Sequence, residues 1–349
     1  MTNIHHAIFC LFVLAPVVAQ FEGDRCRMKN TNDKGKCVLL DNCDYAKNLL
    51  QSRQTPQHCG FKGMIPVVCC PLTTKLAPGE KSEKQCNFYY PKPTLKFRKF
   101  IVGGKKSLAA EFPHMAILGY GDKEDIQWLC GGSLISEQFV LTAAHCIISQ
   151  QYGVIRWVRL GDLDIKSTTD DAKPQDFHVI TMFTHPEYRS SSHYHDIALL
   201  KLHRSAVFNV FVGPACLYIN WTVSEKLIAT GWGKVDFFGE SSSHLMKVDL
   251  NYVDFEQCAR SYEDVSKTKL RNGIVDELQV CAGRPDGGDT CPGDSGGPLQ
   301  FKVTDNPPHY YVVGITSFGK ACGIDNSMGV YTRVAQYVDW IEDIVWPVD

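Results

Sequence analysis

The sequence predicts an all-β fold for residues 101–349, and two observations support this prediction. Short apolar or alternating runs recur along this region, and glycine-rich turns separate them. Repeated short strands between such turns are typical of a β-barrel or a β-sandwich. The runs are Met115–Leu118, Phe139–Thr142, Ile155–Leu160, Phe177–Phe183, Ile197–Leu202, Leu227–Thr230 and Tyr310–Ser317.

The N-terminus is predicted to be a secretory signal peptide of residues 1–19. Residues Ala7 to Val18 are nearly all apolar, and small residues precede a cleavage point ahead of Gln20. The alternative is a membrane anchor, which the shortness of the apolar run disfavours. Removing the leader takes away Cys10, one of the fifteen cysteines, and leaves an even fourteen. A secreted, extracellular chain of this kind should hold seven disulfides.

Residues 26–70 are predicted to form a small domain held by disulfides. Six cysteines lie there with little apolar sequence between them, so burial alone cannot stabilise the segment. A zinc module is the alternative, but the paired C-x2-C ligands of such modules are missing. The spacing by itself leaves fifteen pairings open. The cysteines are Cys26, Cys37, Cys43, Cys59, Cys69 and Cys70.

Residues 71–100 are predicted to be an extended, exposed linker that carries the activation point. Four prolines interrupt regular structure, and seven basic residues outnumber two glutamates. The segment contains one cysteine, Cys86. A proteolytic enzyme could enter such a backbone.

One helix is predicted at the C-terminus, where Val334, Val338, Ile341 and Val345 follow helical spacing. The formal net charge of −2 is too small to create a strong electrostatic field around the protein. Nucleic-acid and membrane-surface partners are therefore not expected.

Three short motifs carry the chemistry. His145 lies in Thr-Ala-Ala-His-Cys, Asp196 in His-Asp-Ile-Ala-Leu-Leu, and Ser295 in Gly-Asp-Ser-Gly-Gly-Pro. A serine hydroxyl becomes a nucleophile when a base takes its proton, and a neutral imidazole is suited to that task. A carboxylate holds the imidazole in the right tautomer and stabilises its charged form. We therefore predict His145, Asp196 and Ser295 as the catalytic residues.

The glycines around Ser295 also have a chemical reason. They let the backbone turn so that successive N–H groups point at one place, and the N–H groups of Gly293 and Ser295 could then hold an oxyanion. Any one of the three motifs could be an ordinary turn, cap or structural histidine. Their occurrence together in the order His, Asp, Ser indicates a hydrolytic site.

With these motifs, residues 101–349 resemble the chymotrypsin-type serine proteases over their full length. The resemblance implies two packed six-stranded β-barrels, a site between them and a C-terminal helix. We expect no cofactor and no metal, and the alternative is calcium in the acidic loop that is described below. The resemblance also implies the disulfides Cys130–Cys146, Cys258–Cys281 and Cys291–Cys322, which leaves Cys86 to pair with Cys216.

Residues 26–70 resemble the clip domain of arthropod extracellular proteases, chiefly because Cys69 and Cys70 are adjacent. This resemblance implies the disulfides Cys26–Cys69, Cys37–Cys59 and Cys43–Cys70. Two roles stay open for the module: a passive propeptide, or a device for docking or regulation.

The resemblance also implies activation by cleavage between Phe100 and Ile101. Residues Ile-Val-Gly-Gly from 101 match the family's mature N-terminus, whose new amine pairs with the aspartate before the nucleophile, here Asp294. Most relatives carry Arg or Lys before the cut. Because Phe100 stands there, we expect an upstream activating protease with chymotrypsin-like preference and inefficient autoactivation.

The family's specificity pocket corresponds to Asp289 at its floor and to Gly319 and Gly329 on its walls. A carboxylate at the floor demands a cationic partner, so the resemblance implies cleavage after Arg or Lys. Phe318 stands where Trp is usual, which is a departure from the common pattern.

Two further sites are candidates. Asn220-Trp221-Thr222 is a glycosylation sequon. An acidic run from Asp162 to Asp171 falls where some relatives bind calcium. A solvated loop is the favoured interpretation of that run, because calcium needs convergent oxygens that spacing cannot show.

These features together predict a secreted serine endopeptidase zymogen, and the resemblance to clip-domain proteases implies that it activates a further clip-domain protease zymogen. Such enzymes act in extracellular cascades that serve Toll signalling, melanisation or dorsoventral patterning, and a serpin-type inhibitor is an expected partner. One alternative is a non-catalytic clip-domain homologue that acts as a scaffold, but those usually lose a triad residue. The other is a digestive trypsin, which the clip-like module and Phe100 disfavour.

Overall fold

The computed structural model describes residues 21–29, 34–51, 54–72, 77–91, 105–170, 172–233, 241–265, 267–284, 294–305, 307–319 and 328–347. The chain divides into two compact units between residues 76 and 77. The predicted signal peptide lies outside the described residues. Among the described helices, none is both long and apolar enough to cross a bilayer.

The N-terminal unit is a four-stranded antiparallel sheet with one short helix. The sheet order is β1-β2-β4-β3. Its core consists largely of cysteine, because Cys26, Cys37, Cys43 and Cys69 are buried with only a few apolar neighbours. The elements are β1 (Arg25–Arg27), β2 (Lys34–Leu39), α1 (Asp44–Gln51), β3 (His58–Lys62) and β4 (Ile65–Pro71).

Three disulfides close this small sheet: Cys26–Cys69, Cys37–Cys59 and Cys43–Cys70. They are the pairs that the clip-domain resemblance implies. Each disulfide of this kind contributes about 2–4 kcal/mol, mainly by restricting the unfolded chain. A unit with so few buried apolar side chains depends on that contribution.

The segment predicted to be an extended, exposed linker contains a helix, α2 (Glu80–Tyr89), within the larger unit. Lys81, Ser82 and Cys86 are buried on one side of this helix. The expectation of an extended backbone is wrong for these residues, because long-range contacts outweigh the local composition.

Two of those contacts are visible at the ends of α2. The buried carboxylate of Glu342 accepts hydrogen bonds from the backbone N–H groups of Gly79 (3.2 Å) and Ser82 (2.7 Å). A carboxylate in this place satisfies free N–H groups at a helix N-terminus. Near the other end, Cys86 forms a disulfide with Cys216.

The first barrel of the larger unit closes six antiparallel strands in the order β11-β12-β8-β7-β6-β10, with β10 paired back to β11. A short strand, β9, extends it beside β10. In chain order, the strands from the start of the larger unit to the last strand of this barrel are β5 (Lys105–Lys106), β6 (Met115–Tyr120), β7 (Gln127–Leu134), β8 (Phe139–Thr142), β9 (Ile148–Ser149), β10 (Gly153–Leu160), β11 (Gln175–Thr184) and β12 (Ala198–Leu202).

The second barrel closes six strands in the order β18-β17-β14-β15-β16-β19, with β18 paired back to β19. The short strands β13 and β5 flank it, beside β18 and β15. Its elements are β13 (Cys216–Leu217), β14 (Lys226–Gly231), β15 (Met246–Val253), α3 (Phe255–Ser261), β16 (Gln279–Gly283), β17 (Pro298–Asp305), β18 (Pro308–Gly319) and β19 (Met328–Arg333).

The chain ends in the predicted helix, α4 (Val338–Val345), after a 3₁₀ turn over Val334–Tyr337. Val338, Ile341 and Val345 pack into the same apolar cluster as the core of the first barrel. The prediction of two six-stranded barrels with a C-terminal helix, preceded by a disulfide-rich module, is confirmed.

Candidate active site

Strand pairing brings His145 and Asp196 to one edge of the first barrel. β8 ends at Thr142 and β12 begins at Ala198, and these two residues are antiparallel partners. Consequently, the residues after β8 and the residues before β12 leave the sheet at the same end. The Nδ1 atom of His145 lies 2.7 Å from Oδ2 of Asp196, and the His145 backbone N–H donates to Oδ1 at 2.9 Å.

The Asp196 carboxylate is buried, with 3% of its side chain exposed. The hydroxyl of Ser317 donates to its Oδ2 at 2.5 Å, and the hydroxyl of Thr332 donates to its backbone carbonyl at 2.9 Å. Burial by itself raises the pKa of Asp196. The charge of His145 and the hydrogen bonds that the carboxylate accepts from His145 and Ser317 outweigh that effect and hold the pKa below its ordinary value. The carboxylate therefore stays ionised inside the protein.

The His145 imidazole is more accessible, with 33% of its side chain exposed. Burial favours its neutral form, but the charge of Asp196 and its hydrogen bond favour the protonated form more strongly. The pKa of His145 is consequently raised from its ordinary value of 6.5. This imidazole can accept a proton from a nearby hydroxyl, and Asp196 stabilises the cation that results.

The backbone before Asp196 is strained. His195 has a φ of +57°, in the left-handed region that residues with a Cβ seldom adopt. Such a conformation costs about 1–3 kcal/mol and persists only where the surroundings enforce it. Here the His195 ring stacks on His185 at 5.2 Å, and its Nδ1 lies 3.1 Å from the hydroxyl of Tyr337.

Ser295 belongs to the second barrel, in the turn that precedes β17, and its backbone contacts the first barrel. Its carbonyl accepts a hydrogen bond from the N–H of Gly131 in β7 at 2.8 Å. The same carbonyl lies 3.6 Å from Sγ of Cys146, the residue after His145. The disulfide Cys130–Cys146 fixes that part of the first barrel. The structure thus brings the backbone of Ser295 to the segment that carries His145.

Two glycines make this approach feasible. A Cβ on Gly296, whose φ is +78°, would lie 2.2 Å from Oγ1 of Thr142 and 2.6 Å from the carbonyl of Gly131. A Cβ on Gly297 would lie 2.9 Å from two backbone carbonyl oxygens. A larger residue at position 296 would push the Ser295 segment away from the first barrel, whereas one at position 297 would clash with the carbonyl oxygens of Asp294 and Thr230, within the second barrel.

The Asp294 carboxylate lies against the backbone at the end of β14. Its Oδ1 accepts a hydrogen bond from the N–H of Gly233 at 2.9 Å. A Cβ on Gly231 would lie 2.1 Å from the same oxygen. The carboxylate is therefore packed against a glycine-lined backbone.

The two predicted pocket-wall residues, Gly319 and Gly329, are direct partners across strands β18 and β19. Phe318, beside Gly319, stacks on His193 with ring centroids 4.0 Å apart. Burial and the charge of Lys269 lower the pKa of His193, which favours the neutral form of the ring against Phe318. The predicted residues Asp289, Gly293, Phe100 and Ile101 lie outside the described residues.

The remaining predicted features are distributed over the surface and the core. The disulfide Cys258–Cys281 is formed, while Cys291 and Cys322 lie outside the described residues. Asn220 is exposed. In the acidic loop, Asp162 is buried and pairs with Arg159 at 3.2 Å, and Asp170 accepts from the N–H of Asp164 at 2.9 Å.

Sequence reasoning missed the hydroxyls that support Asp196 and the ring that lies against Phe318. Ser317 and Thr332 are 121 and 136 residues from Asp196 along the chain. Hydroxyl residues are common in strands, so nothing local distinguishes them. Only the three-dimensional fold identifies them, because it places the strands of Ser317 and Thr332 beside Asp196.

A model of the trypsin family matches residues 101–341. The chain is 39% identical to Serine protease snk of Drosophila melanogaster, over 93% of this chain and 79% of that protein. It is 34% identical to CLIP domain-containing serine protease B4 of Anopheles gambiae, over 90% of each chain. It is 32% identical to Proclotting enzyme of Tachypleus tridentatus, over 88% of this chain and 84% of that protein.

Proposed function

Because this chain belongs to the trypsin family of serine endopeptidases, we propose that it is exported as an inactive zymogen and, once processed, cleaves proteins after Arg or Lys. The observation that carries the proposal is the His145–Asp196 hydrogen bond of 2.7 Å with the backbone of Ser295 held beside Cys146. The matches to clip-domain proteases extend well beyond residues 101–349, which supports a role shared with those relatives.

In this proposal Ser295 attacks the scissile carbonyl and His145 takes its proton. Asp196 keeps the imidazole in the tautomer whose Nδ1–H faces the carboxylate and whose other nitrogen faces the serine. The N–H groups of Gly293 and Ser295 hold the oxyanion that develops on the substrate. His145 then returns the proton to the leaving amine. The ionised state of buried Asp196 supports this division of roles.

The proposed specificity rests on Asp289 at the floor of the pocket. Gly319 and Gly329 face each other across two strands, so neither adds a side chain to the walls. A long cationic side chain could pass between them and pair with the carboxylate. Phe318, stacked on His193, offers an apolar surface beside the entrance.

Activation is proposed to follow cleavage between Phe100 and Ile101, after which the new amine pairs with Asp294. The activating protease must accept an aromatic residue before the cut. The helix α2 and the disulfide Cys86–Cys216 support continued attachment of the N-terminal part to the protease after that cut.

The proposed substrate is a second protease zymogen in an extracellular cascade. The names of two relatives support a role in activation steps: Phenoloxidase-activating enzyme 1 of Spodoptera litura is named for activating another protein, and Proclotting enzyme of Tachypleus tridentatus is named for clotting. Export through a leader of residues 1–19 fits the six described disulfides, since disulfides persist in oxidising compartments. A serpin-type inhibitor would then remove the active form.

The test combines two activators with two zymogens, wild type and Phe100→Arg. Each zymogen is treated with chymotrypsin or trypsin, its new N-terminus is sequenced, and its activity is measured on peptidyl-Arg, -Lys and -Phe substrates. We expect wild type to become active with chymotrypsin, with Ile101 first and a preference for Arg and Lys. The variant should become active with trypsin instead. Full activity of wild type with Phe100 as its first residue would contradict the proposal.

A further inference from the structure

Two histidines and a glutamate converge next to the catalytic aspartate. His185 and Glu187 lie in the loop after β11, and His195 directly precedes Asp196. One ligand atom from each of the three lies within 4.8 Å of the other two. Among the described residues, three other clusters meet this distance, but each includes cysteines whose sulfurs are in disulfides.

The distances suit a transition-metal ion. Nε2 of His195 lies 3.7 Å from Oε2 of Glu187. Two ligands of a tetrahedral Zn²⁺ ion, bound at about 2.0–2.2 Å, are about 3.4 Å apart. Glu187 is mostly exposed, with 70% of its side chain accessible, so it can close the remaining gap. A fourth position stays open to water.

The histidine rings are held in place before any ion arrives. The two rings are parallel within 11°, and His185 also packs edge-on against Tyr337 and Trp340. The hydroxyl of Tyr337 lies 3.1 Å from Nδ1 of His195. If that Nδ1–H donates to the hydroxyl, Nε2 presents its lone pair towards Glu187, which is the usual support for a metal-binding histidine.

We propose that His185, Glu187 and His195 bind one Zn²⁺ ion and that this ion slows the peptidase. Imidazole nitrogens select zinc over calcium and magnesium, which prefer oxygen ligands. One of its ligands, His195, directly precedes Asp196 in the chain, so the dication would add positive charge close to the catalytic pair. Because catalysis places a positive charge on His145, a second positive charge nearby opposes the transition state. The expected effect is therefore on kcat more than on KM.

The binding test uses the full-length zymogen, purified without a histidine tag and freed of metal. Calorimetric titration with ZnCl₂ compares wild type with His185→Ala and Glu187→Gln. The matched control is His178→Ala, which removes one member of another close histidine pair, with His203 at 5.4 Å, that has no third ligand among the described residues. Melting curves in EDTA show that each variant is folded.

We expect one Zn²⁺ per chain in wild type and in His178→Ala, and no comparable binding of Ca²⁺ or Mg²⁺. Glu187→Gln should weaken the affinity by at least about tenfold, and His185→Ala should weaken it further. Unchanged affinity in both variants would overturn the site, as would an equal loss in His178→Ala.

The activity test uses the processed enzyme, and each variant is compared with itself in EDTA. Zinc should lower kcat of wild type and of His178→Ala, and it should have little effect on Glu187→Gln at the same concentration. Stoichiometric binding with no change in kcat would overturn the coupling to Asp196.

Discussion

The two halves of the active site are held in different ways. The dyad of His145 and Asp196 is fixed by hydrogen bonds to a buried charge, with donors from His145, Ser317 and the neighbouring backbone. The serine loop, residues 294–297, is fixed by close backbone packing that only glycine permits at positions 296 and 297. Removing one of the several donors to the Asp196 carboxylate should therefore lower activity only partly. Adding a single Cβ at position 296 or 297 should displace the whole serine loop.

The largest effect in this comparison is expected for Asp196→Asn. The amide cannot hold His145 in the productive tautomer, so kcat should fall by about 10⁴-fold while the fold is retained. Steady-state kinetics on a peptidyl-Arg substrate measures this loss. Asp122→Asn is the control, because Asp122 forms an exposed ion pair with Arg156 and should behave as wild type. Equal kcat values for the two variants would show that Asp196 takes no part in the mechanism.

The serine loop is tested by Gly296→Ala against Gly153→Ala. Both glycines have positive φ, +78° and +79°, but only Gly296 has atoms within 4 Å of the new Cβ. Gly153→Ala should cost about 1 kcal/mol of stability through backbone strain alone. Gly296→Ala should lower the melting temperature further and reduce kcat/KM by more than about 10²-fold, since a small displacement of the nucleophile is enough. Similar behaviour of the two variants would contradict close packing as the cause.

A smaller effect is expected for Ser317→Ala, which removes one donor from the Asp196 carboxylate. Because the other donors remain, kcat/KM should fall by roughly tenfold, within the range for a hydrogen bond to a charged group. Thr332→Val is the matched control, since its hydroxyl bonds the backbone carbonyl of Asp196 and leaves the carboxylate untouched. A larger rate loss in Thr332→Val would reverse the assignment.

The smallest effect is a displacement of the pH profile. In the proposed mechanism the neutral form of His145 is the base, so kcat/KM should be retained above its pKa and lost as the pH falls through it. Asp196 raises that pKa, which places the midpoint of the loss above the ordinary value of 6.5. In Asp196→Asn the midpoint should move to lower pH. The measurement is kcat/KM of wild type and of Asp196→Asn from about pH 5 to 9. The same midpoint in both proteins would show that Asp196 does not act on His145.

Local patterns predicted much of the first barrel, because its buried strands carry continuous apolar runs such as Phe139–Thr142. They missed β7, in which Gly131 and Gly132 weaken strand propensity. Packing explains those glycines: a Cβ on Gly132 would lie 2.7 Å from Val140, and one on Gly131 would lie 3.2 Å from Gly297. Gly297 is far away along the chain, and strand propensity alone does not show that β8 folds back against Gly132.

The same limit applies to helix α2 and to the surroundings of the site. Its flanking prolines indicated an extended segment, yet Glu342, 260 residues away from Ser82, binds the helix N-terminus. The motifs identified the residues of the dyad, but the donors to Asp196 come from distant strands. The sequence therefore singled out two residues that the structure brings together, but it did not predict the side chains that hold them.

The central claim, that Ser295 is a nucleophile activated by the dyad, is tested most directly by covalent labelling. A fluorophosphonate probe is added to the processed protein, and the labelled peptide is identified by mass spectrometry. We predict a single label on Ser295, with none on Ser295→Ala and much slower labelling of Asp196→Asn. A label on another residue, or labelling that persists in Ser295→Ala, would contradict the account.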